Sequence, residues 1–162
     1  TKFTTAVLIR SIQLIISVIV LGLSGGLIND YLYGRGIYIL IISVFSLVYL
    51  LVVLTPYVIQ YLQPIVLIIC EGVFFIFWLI SFALITDDTG SISCSGYYYG
   101  FYYDTTDCKI SHALIAFTLF GWLSFIVSLA LLVIYSIIPL NTSGGISYLT
   151  EFNILQLGGI YP

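Results

Sequence analysis

The sequence predicts an all-α membrane protein: an antiparallel bundle of four transmembrane helices with a disulfide-closed exoplasmic loop. Three observations lead there. Four long apolar runs fill most of the 162 residues. Charged residues make up 7% of the chain and apolar types 61%, with a mean hydropathy of +1.19. A soluble domain needs about a quarter of its residues charged to keep a wetted surface, so the solvent of this chain is lipid. Finally, the one sizeable hydrophilic loop carries a cysteine toward each end, Cys94 and Cys108.

The spans follow in order. They run from about Thr5 to Ile28, Ile37 to Val58, Ile65 to Ile85 and Ala113 to Ile138. A bilayer core of ~30 Å takes ~20 apolar helical residues. The second run reaches that length only by passing Pro56. In lipid the backbone must satisfy its own hydrogen bonds, so each span is expected to be helical despite its many β-branched residues. A transmembrane β-barrel needs strands of about ten residues with alternating polarity. These runs are far longer and apolar all round. The first run is also too long, and lacks the cleavage signal, to read as a secretory leader. Residues 1–138 form the membrane domain in this reading, and the tail from Pro139 to Pro162 is irregular.

The connections are short except one. Asn29 to Gly36 reads as a tight turn, and Thr55 to Pro64 as an interfacial elbow marked by Tyr57 and Tyr61. The loop from Thr86 to Ser111 holds a tyrosine-rich run, Gly96 to Tyr103, which suits either a small β-hairpin or a segment flat on the headgroups. Lys2 and Arg10 lie on one side of the membrane, Arg35 and Lys109 on the other, so the positive-inside rule gives no orientation. The cysteines do. A pair in a polar loop beside a membrane is most simply a disulfide, which needs an oxidising compartment. That puts the loop outside and both termini in the cytoplasm. The sequon Asn141-Thr142-Ser143 then abuts the fourth span and reads as unused.

Two ionisable residues fall inside the spans, Arg10 and Glu71. Each lies about 8–10 Å in from the same membrane face at 1.5 Å per residue. An Arg10–Glu71 ion pair is therefore geometrically allowed, with Gln13 and Ser17 on the Arg10 face. An ion or proton pathway is one reading. A structural clamp between the first and third helices is the favoured one, because few other polar residues lie at that level. Small residues suggest close helix approach. Gly22 and Gly26 stand in GxxxG spacing on the first helix, and Gly121, Ser124 and Ser128 lie on the fourth with Ala113 and Ala116. The favoured use is packing within the bundle, and the alternative is association between copies.

No catalytic set is visible, no cofactor is called for, and a lone His112 does not make a metal site. Asp87, Asp88, Asp104 and Asp107 read as solvated loop acids, and Cys70 as a small buried apolar residue. The net charge of −3 and the lack of a basic patch exclude nucleic acid as a partner.

The first-helix opening Arg10-x-x-Gln13 with Leu21-Gly22-Leu23, the short first loop, and Glu71 followed by Phe74, Phe75, Phe77 and Trp78 form a pattern. It continues with the later loop cysteine just before Lys109-x-x-His112-Ala113. Over about residues 4–138 it resembles the MARVEL family of four-helix membrane proteins, particularly its fungal members of the non-classical-export type. Claudin-like tetraspans differ in carrying a long first loop with paired cysteines. The resemblance implies a scaffold that organises lateral membrane domains, curvature or vesicle membranes, in the plasma membrane or the secretory pathway. The tail lacks the basic, soluble character of many family members. The expected function is thus non-enzymatic, acting through lipid contact and a homo-oligomer or membrane-protein partner. An accessory subunit of a larger membrane complex is the alternative, followed by a small channel or transporter.

Overall fold

The computed structural model describes residues 2–28, 33–91, 93–98, 101–104, 106–152 and 155. Helix α1 spans Lys2–Leu27, α2 Tyr33–Leu54 and α4 Pro64–Thr89, with a single turn, α3 (Pro56–Ile59), between α2 and α4. Strands β1 (Ser95–Tyr98) and β2 (Phe101–Asp104) follow, then α5 (Thr106–Leu132). Four segments among the described residues are long and apolar enough to cross a membrane: Phe3–Leu27, Gly34–Leu54, Pro64–Asp87 and Cys108–Thr142.

Prolines set the boundaries on the side of the elbow. Pro56 and Pro64 each occupy the first turn of their helix, where the missing N–H is not needed. The residues before them, Thr55 and Gln63, are extended, with ψ of 114° and 142°, as the proline ring demands. The second span therefore stops at Leu54 and does not continue to Val58. Beyond α5, Val133–Ile137 widens into a π-helical turn, and the Ile138 N–H reaches back to the Val133 carbonyl. Pro139 follows at once. Its ring would clash with the carbonyl one turn earlier in an unbroken α-helix, and the wider turn relieves this. The helix then resumes as α6 (Ile138–Gly144) and ends at Gly145, whose φ of +75° suits glycine.

Several expected boundaries move. Gly34, Arg35 and Gly36 belong to α2 and not to a turn, while Asn29–Leu32 lie outside the described residues. The fourth helix starts at Thr106, well before Ala113. The loop is therefore shorter than Thr86 to Ser111, and its centre is a two-stranded antiparallel hairpin with Ser95 opposite Asp104. The described part of the tail, residues 139–152 and 155, is also more ordered than expected. It continues through α6 and a 3₁₀ turn, Ile146–Thr150, and returns Leu155 to a buried cluster with Val53, Ile59, Leu67 and Leu132.

α1 packs on α2 and α5, α5 packs on α4, and α2 meets α4 more sparsely. Across the α4–α5 contact Phe75 faces Trp122, and Phe74 and Trp78 both face Phe125. Across the α2–α4 seam Arg35, Ser46 and Tyr49 meet Asp87, Trp78 and Glu71 in turn. Partner numbers fall on α4 as they rise on α2, so these two helices are antiparallel. The main core joins Val20, Leu27, Ile39, Ile42, Trp78, Ile85, Leu114 and Phe125.

Polarity is inverted relative to a water-soluble fold. Arg10, Gln13, Ser17, Ser24, Ser43, Ser46, Glu71, Ser81, Thr118 and Ser128 are buried. Leu8, Ile15, Phe45, Val48, Leu51, Ile69 and Phe120 are exposed. Many of the hydroxyls bond back to a carbonyl one turn earlier, as in Ser43 to Leu40 at 2.8 Å and Ser81 to Phe77 at 2.9 Å. This lets a serine sit inside without a tertiary partner.

Gly121 is the tightest point of the α4–α5 contact. A methyl group there would overlap the six-membered ring of Trp78, and that indole is held from its far edge by Nε1 donating to Ser46 Oγ at 2.9 Å. Gly121→Ala is expected to lower stability by about 1–3 kcal/mol, read from reversible unfolding in detergent micelles. Gly22→Ala, with open space at its Cβ, is the control and should unfold like the parent.

Candidate functional site

The buried polar network begins with Arg10, in the third turn of α1. Its Nη1 donates to Glu71 Oε1 on α4 and to Gln13 Oε1 on its own helix, the latter at 3.4 Å. Gln13 lies three residues on, so both side chains leave the same face of α1. The Gln13 amide then donates from Nε2 to the Ser124 carbonyl of α5 at 3.2 Å. From α2, Tyr49 donates its hydroxyl to the same Glu71 Oε1 at 2.5 Å. Its ring also lies 5.8 Å from the Arg10 guanidinium carbon, within cation–π range. Arg10 is 3% exposed and Glu71 fully buried. One network thus touches all four membrane helices.

The physical logic is charge neutralisation in a medium that solvates charge poorly. An isolated guanidinium or carboxylate in lipid costs several kcal/mol at least. Paired and hydrogen-bonded, the two charges cancel, and the phenol and amide occupy further hydrogen-bonding capacity. Two polar atoms near this level have no hydrogen-bond partner among the described residues, Glu71 Oε2 and Ser17 Oγ. The charged groups are engaged with each other across α1 and α4.

The α2–α4 seam carries further bridges. Trp78 reaches Ser46 near its middle. At the hairpin end Arg35 pairs with Asp87 at 3.1 Å and donates to the Leu84 carbonyl at 3.4 Å. That outer pair is solvent-exposed and contributes about 0–1 kcal/mol. Sequence reasoning did not anticipate Tyr49, Ser46 or the Arg35–Asp87 pair. A phenol in the middle of an apolar run was the available signal for Tyr49, since a buried tyrosine hydroxyl usually finds a partner.

The loop cysteines are bonded, Cys94 to Cys108, with their Cα atoms 5.3 Å apart. The bond ties the chain just before β1 to the first turn of α5. Ring and sulfur atoms of Cys94, Cys108 and His112 lie within 4.8 Å of one another. With the sulfurs bonded to each other, the trio offers no thiolate pair to a metal. The remaining cysteine of this chain, Cys70, is half-buried and not fully buried as the sequence suggested.

The small residues divide. Gly121 is buried under Trp78. Ser124 is half-buried, its hydroxyl bonded to the Gly121 carbonyl at 2.7 Å, and Ser128 is buried. Ala113 is half-buried and Ala116 exposed. Gly22 and Gly26 do not pack inside the bundle. Gly26 is exposed and Gly22 faces outward beside it. A Cβ added at Gly22, Gly25 or Gly26 would meet no atom within 4 Å. The reason is phase. Ala6, Arg10, Gln13, Ser17, Val20, Ser24 and Leu27 are the buried positions of α1 among the described residues. They step by three and four residues along one face, which turns Gly22 and Gly26 outward.

Removing either charge of the Arg10–Glu71 pair is expected to destabilise the bundle by about 3–5 kcal/mol, measured by unfolding in micelles. Exchanging the two residues should regain part of that loss, and a Glu71→Gln variant as stable as the parent would contradict the clamp. For the loop, peptide mapping without reductant should recover Cys94 and Cys108 in one linked peptide. Recovery of both as alkylatable thiols would refute the bond.

Comparison with known proteins adds one finding to this geometry. The family model described as the MARVEL membrane-associating domain matches residues 3–131. No curated protein and no solved structure matches the chain. The matched stretch runs from the first turn of α1 to the end of α5, and it includes the whole polar network and the disulfide-closed hairpin. With four membrane-length helices and a match over most of its length, this chain belongs to the MARVEL family of membrane-associating proteins.

Proposed function

We propose that this protein is a non-enzymatic membrane-organising scaffold. It works through contact with lipid and with further copies of itself, shaping lateral domains, curvature or vesicle membrane. In this reading the termini face the cytoplasm and the disulfide-bonded hairpin faces outward, at the plasma membrane or in the secretory pathway. An oxidising compartment for the Cys94–Cys108 bond supports that orientation.

The observation that carries the reading is the outer face of α1. Gly22, Gly25 and Gly26 have open space beside them, and exposed Val18 and Ile15 lie further along the helix. Glycines give a helix a smooth trough into which a second helix settles, and packing replaces the hydrophobic drive that lipid removes. Inside the bundle the charged groups are held by one another, which favours a shaped body over a transport path.

The test uses positions whose substitution leaves the single bundle intact. Since nothing lies near a Cβ at Gly22 or Gly26, leucine there adds bulk only to the outer face. Gly26→Leu is expected to weaken self-association by about tenfold or more, measured as the particle mass in native-lipid nanodiscs over a range of protein loading. The stability of the monomer should not change. Monomers at all loadings of the parent, with no partner co-purifying, would overturn the scaffold reading. A constant second protein in the particle would instead favour an accessory subunit.

A further inference from the structure

The end of the bundle opposite the hairpin carries aromatic side chains on its outside. The elbow, Thr55 to Gln63, joins two membrane-length segments, Gly34–Leu54 and Pro64–Asp87. It therefore lies where the chain leaves the apolar layer and turns back. Within it Tyr57 is 80% exposed and Tyr61 75%, and Val58 is exposed between them. The tail comes to the same end. Ile59 of the elbow and Leu155 of the tail share one buried cluster with Val53, Leu67 and Leu132. The 3₁₀ turn of the tail, Ile146–Thr150, also packs on α4, and Phe152 just past it is exposed. Elbow and tail thus form one platform, held inward by Ile59 and Leu155, with Tyr57, Tyr61 and Phe152 uncovered.

Position and composition say what covers these rings. The platform is continuous with the lipid-facing surface of the spans through exposed Leu51 on α2 and Val66 and Ile69 on α4. Chain within a turn or two of a span end lies in the headgroup layer, which adds roughly 5–7 Å to each side of the apolar core. A phenol suits that layer, with its ring among the upper acyl chains and its hydroxyl in water. Charge then selects among lipids. Residues 55–64 and 139–162 contain no Lys or Arg, and Glu151 is their one charged residue. Lys2, which begins α1 on this side, is offset by it in formal charge. Attraction to an anionic leaflet needs a cluster of Lys or Arg beside it. Without one, apolar area is what binds, and it enters most readily where lipids are loosely packed.

We propose that elbow and tail together form a lipid-packing sensor. It is a shallow platform on one leaflet that takes loosely packed phospholipid of no net charge, through Tyr57, Tyr61 and Phe152. Inserted side chains add area to the leaflet that holds them, so the platform partitions to membrane that is convex on its own side. Under the scaffold reading, on which this use rests, the platform is the part that selects lipid. Insertion itself needs only a single bundle in a bilayer.

The full chain in phosphatidylcholine vesicles tests this. Gln60→Cys, at an exposed elbow position, in a Cys70→Ser background leaves one free thiol, since Cys94 and Cys108 are bonded. A membrane-impermeant fluorophore added from outside marks the chains whose elbow faces the outer, convex leaflet. Spin labels on the lipid headgroup or deep in the acyl chain then report depth, and iodide reports water. Quenching should be strongest from the headgroup region, and about twofold or more greater in small, highly curved vesicles than in large ones of the same lipid. Replacing part of the lipid by phosphatidylserine with the same chains should leave it unchanged. Tyr57→Ser with Phe152→Ser, both at exposed positions, should erase most of the difference between vesicle sizes while the bundle unfolds like the parent. Full access to iodide in all vesicles, equal quenching in curved and flat membrane, or a dependence on phosphatidylserine would each overturn the inference. Shielding from both iodide and lipid labels, which marks a covering protein, would do the same. Particle mass in nanodiscs separates this from self-association. A probe in water on an associating chain sinks the sensor alone, and a lipid-facing probe on a chain that stays monomeric sinks the scaffold alone.

Discussion

A single ion pair inside the apolar layer constrains much of this structure. Arg10 and Glu71 are buried at 3% and 0% exposure, where neither charge would be tolerated alone. Their meeting fixes how far α1 and α4 slide along each other and which faces they turn inward. Gln13 then carries the constraint to a carbonyl of α5, and Tyr49 carries it to α2. Lipid provides no net hydrophobic drive between helices, so association depends on such polar contacts and on shape. Here the two are close together, because Phe74 beside the network packs against both Tyr49 and Phe125.

The interhelical contacts are built differently. α4 and α5 approach through a ring laid on a glycine, Trp78 on Gly121. α2 and α4 touch more sparsely and are bridged by long side chains at three levels, Arg35–Asp87, Ser46–Trp78 and Tyr49–Glu71. The first kind of contact is short-ranged and intolerant of added volume. The second is held by polar ends and admits changes in the apolar residues between them. The end opposite the hairpin is closed by a third device, the returning tail, which seats Leu155 among Val53, Ile59, Leu67 and Leu132.

Much of this is legible in the chain. Length and composition are enough for four helices, because lipid leaves the backbone no other open-ended way to satisfy itself. Equal depth allows the Arg10–Glu71 meeting, and the structure makes it. The differences have physical causes. Hydrophobicity marks where a span leaves the apolar layer, but a helix continues into the polar layer, as α5 does back to Thr106. Counting small residues without their phase misplaces Gly22 and Gly26. Stepping from Arg10 through Ser17 to Ser24 already marks the inner face of α1, and the glycines fall on the other side. The seating of Leu155 has no local signal, since one leucine in a mixed tail looks like any other.

The separation of 61 residues between Arg10 and Glu71 has a consequence for biogenesis. The first helix leaves the ribosome well before its counter-charge exists. At about 5–20 residues per second, the guanidinium waits roughly 3–12 s for the carboxylate to be synthesised. During that interval the nascent chain has Gln13, one turn away, as the nearby acceptor on its own helix. The same amide that joins α1 to α5 in the finished bundle is thus the side-chain acceptor that lies one turn from Arg10 before the third span exists.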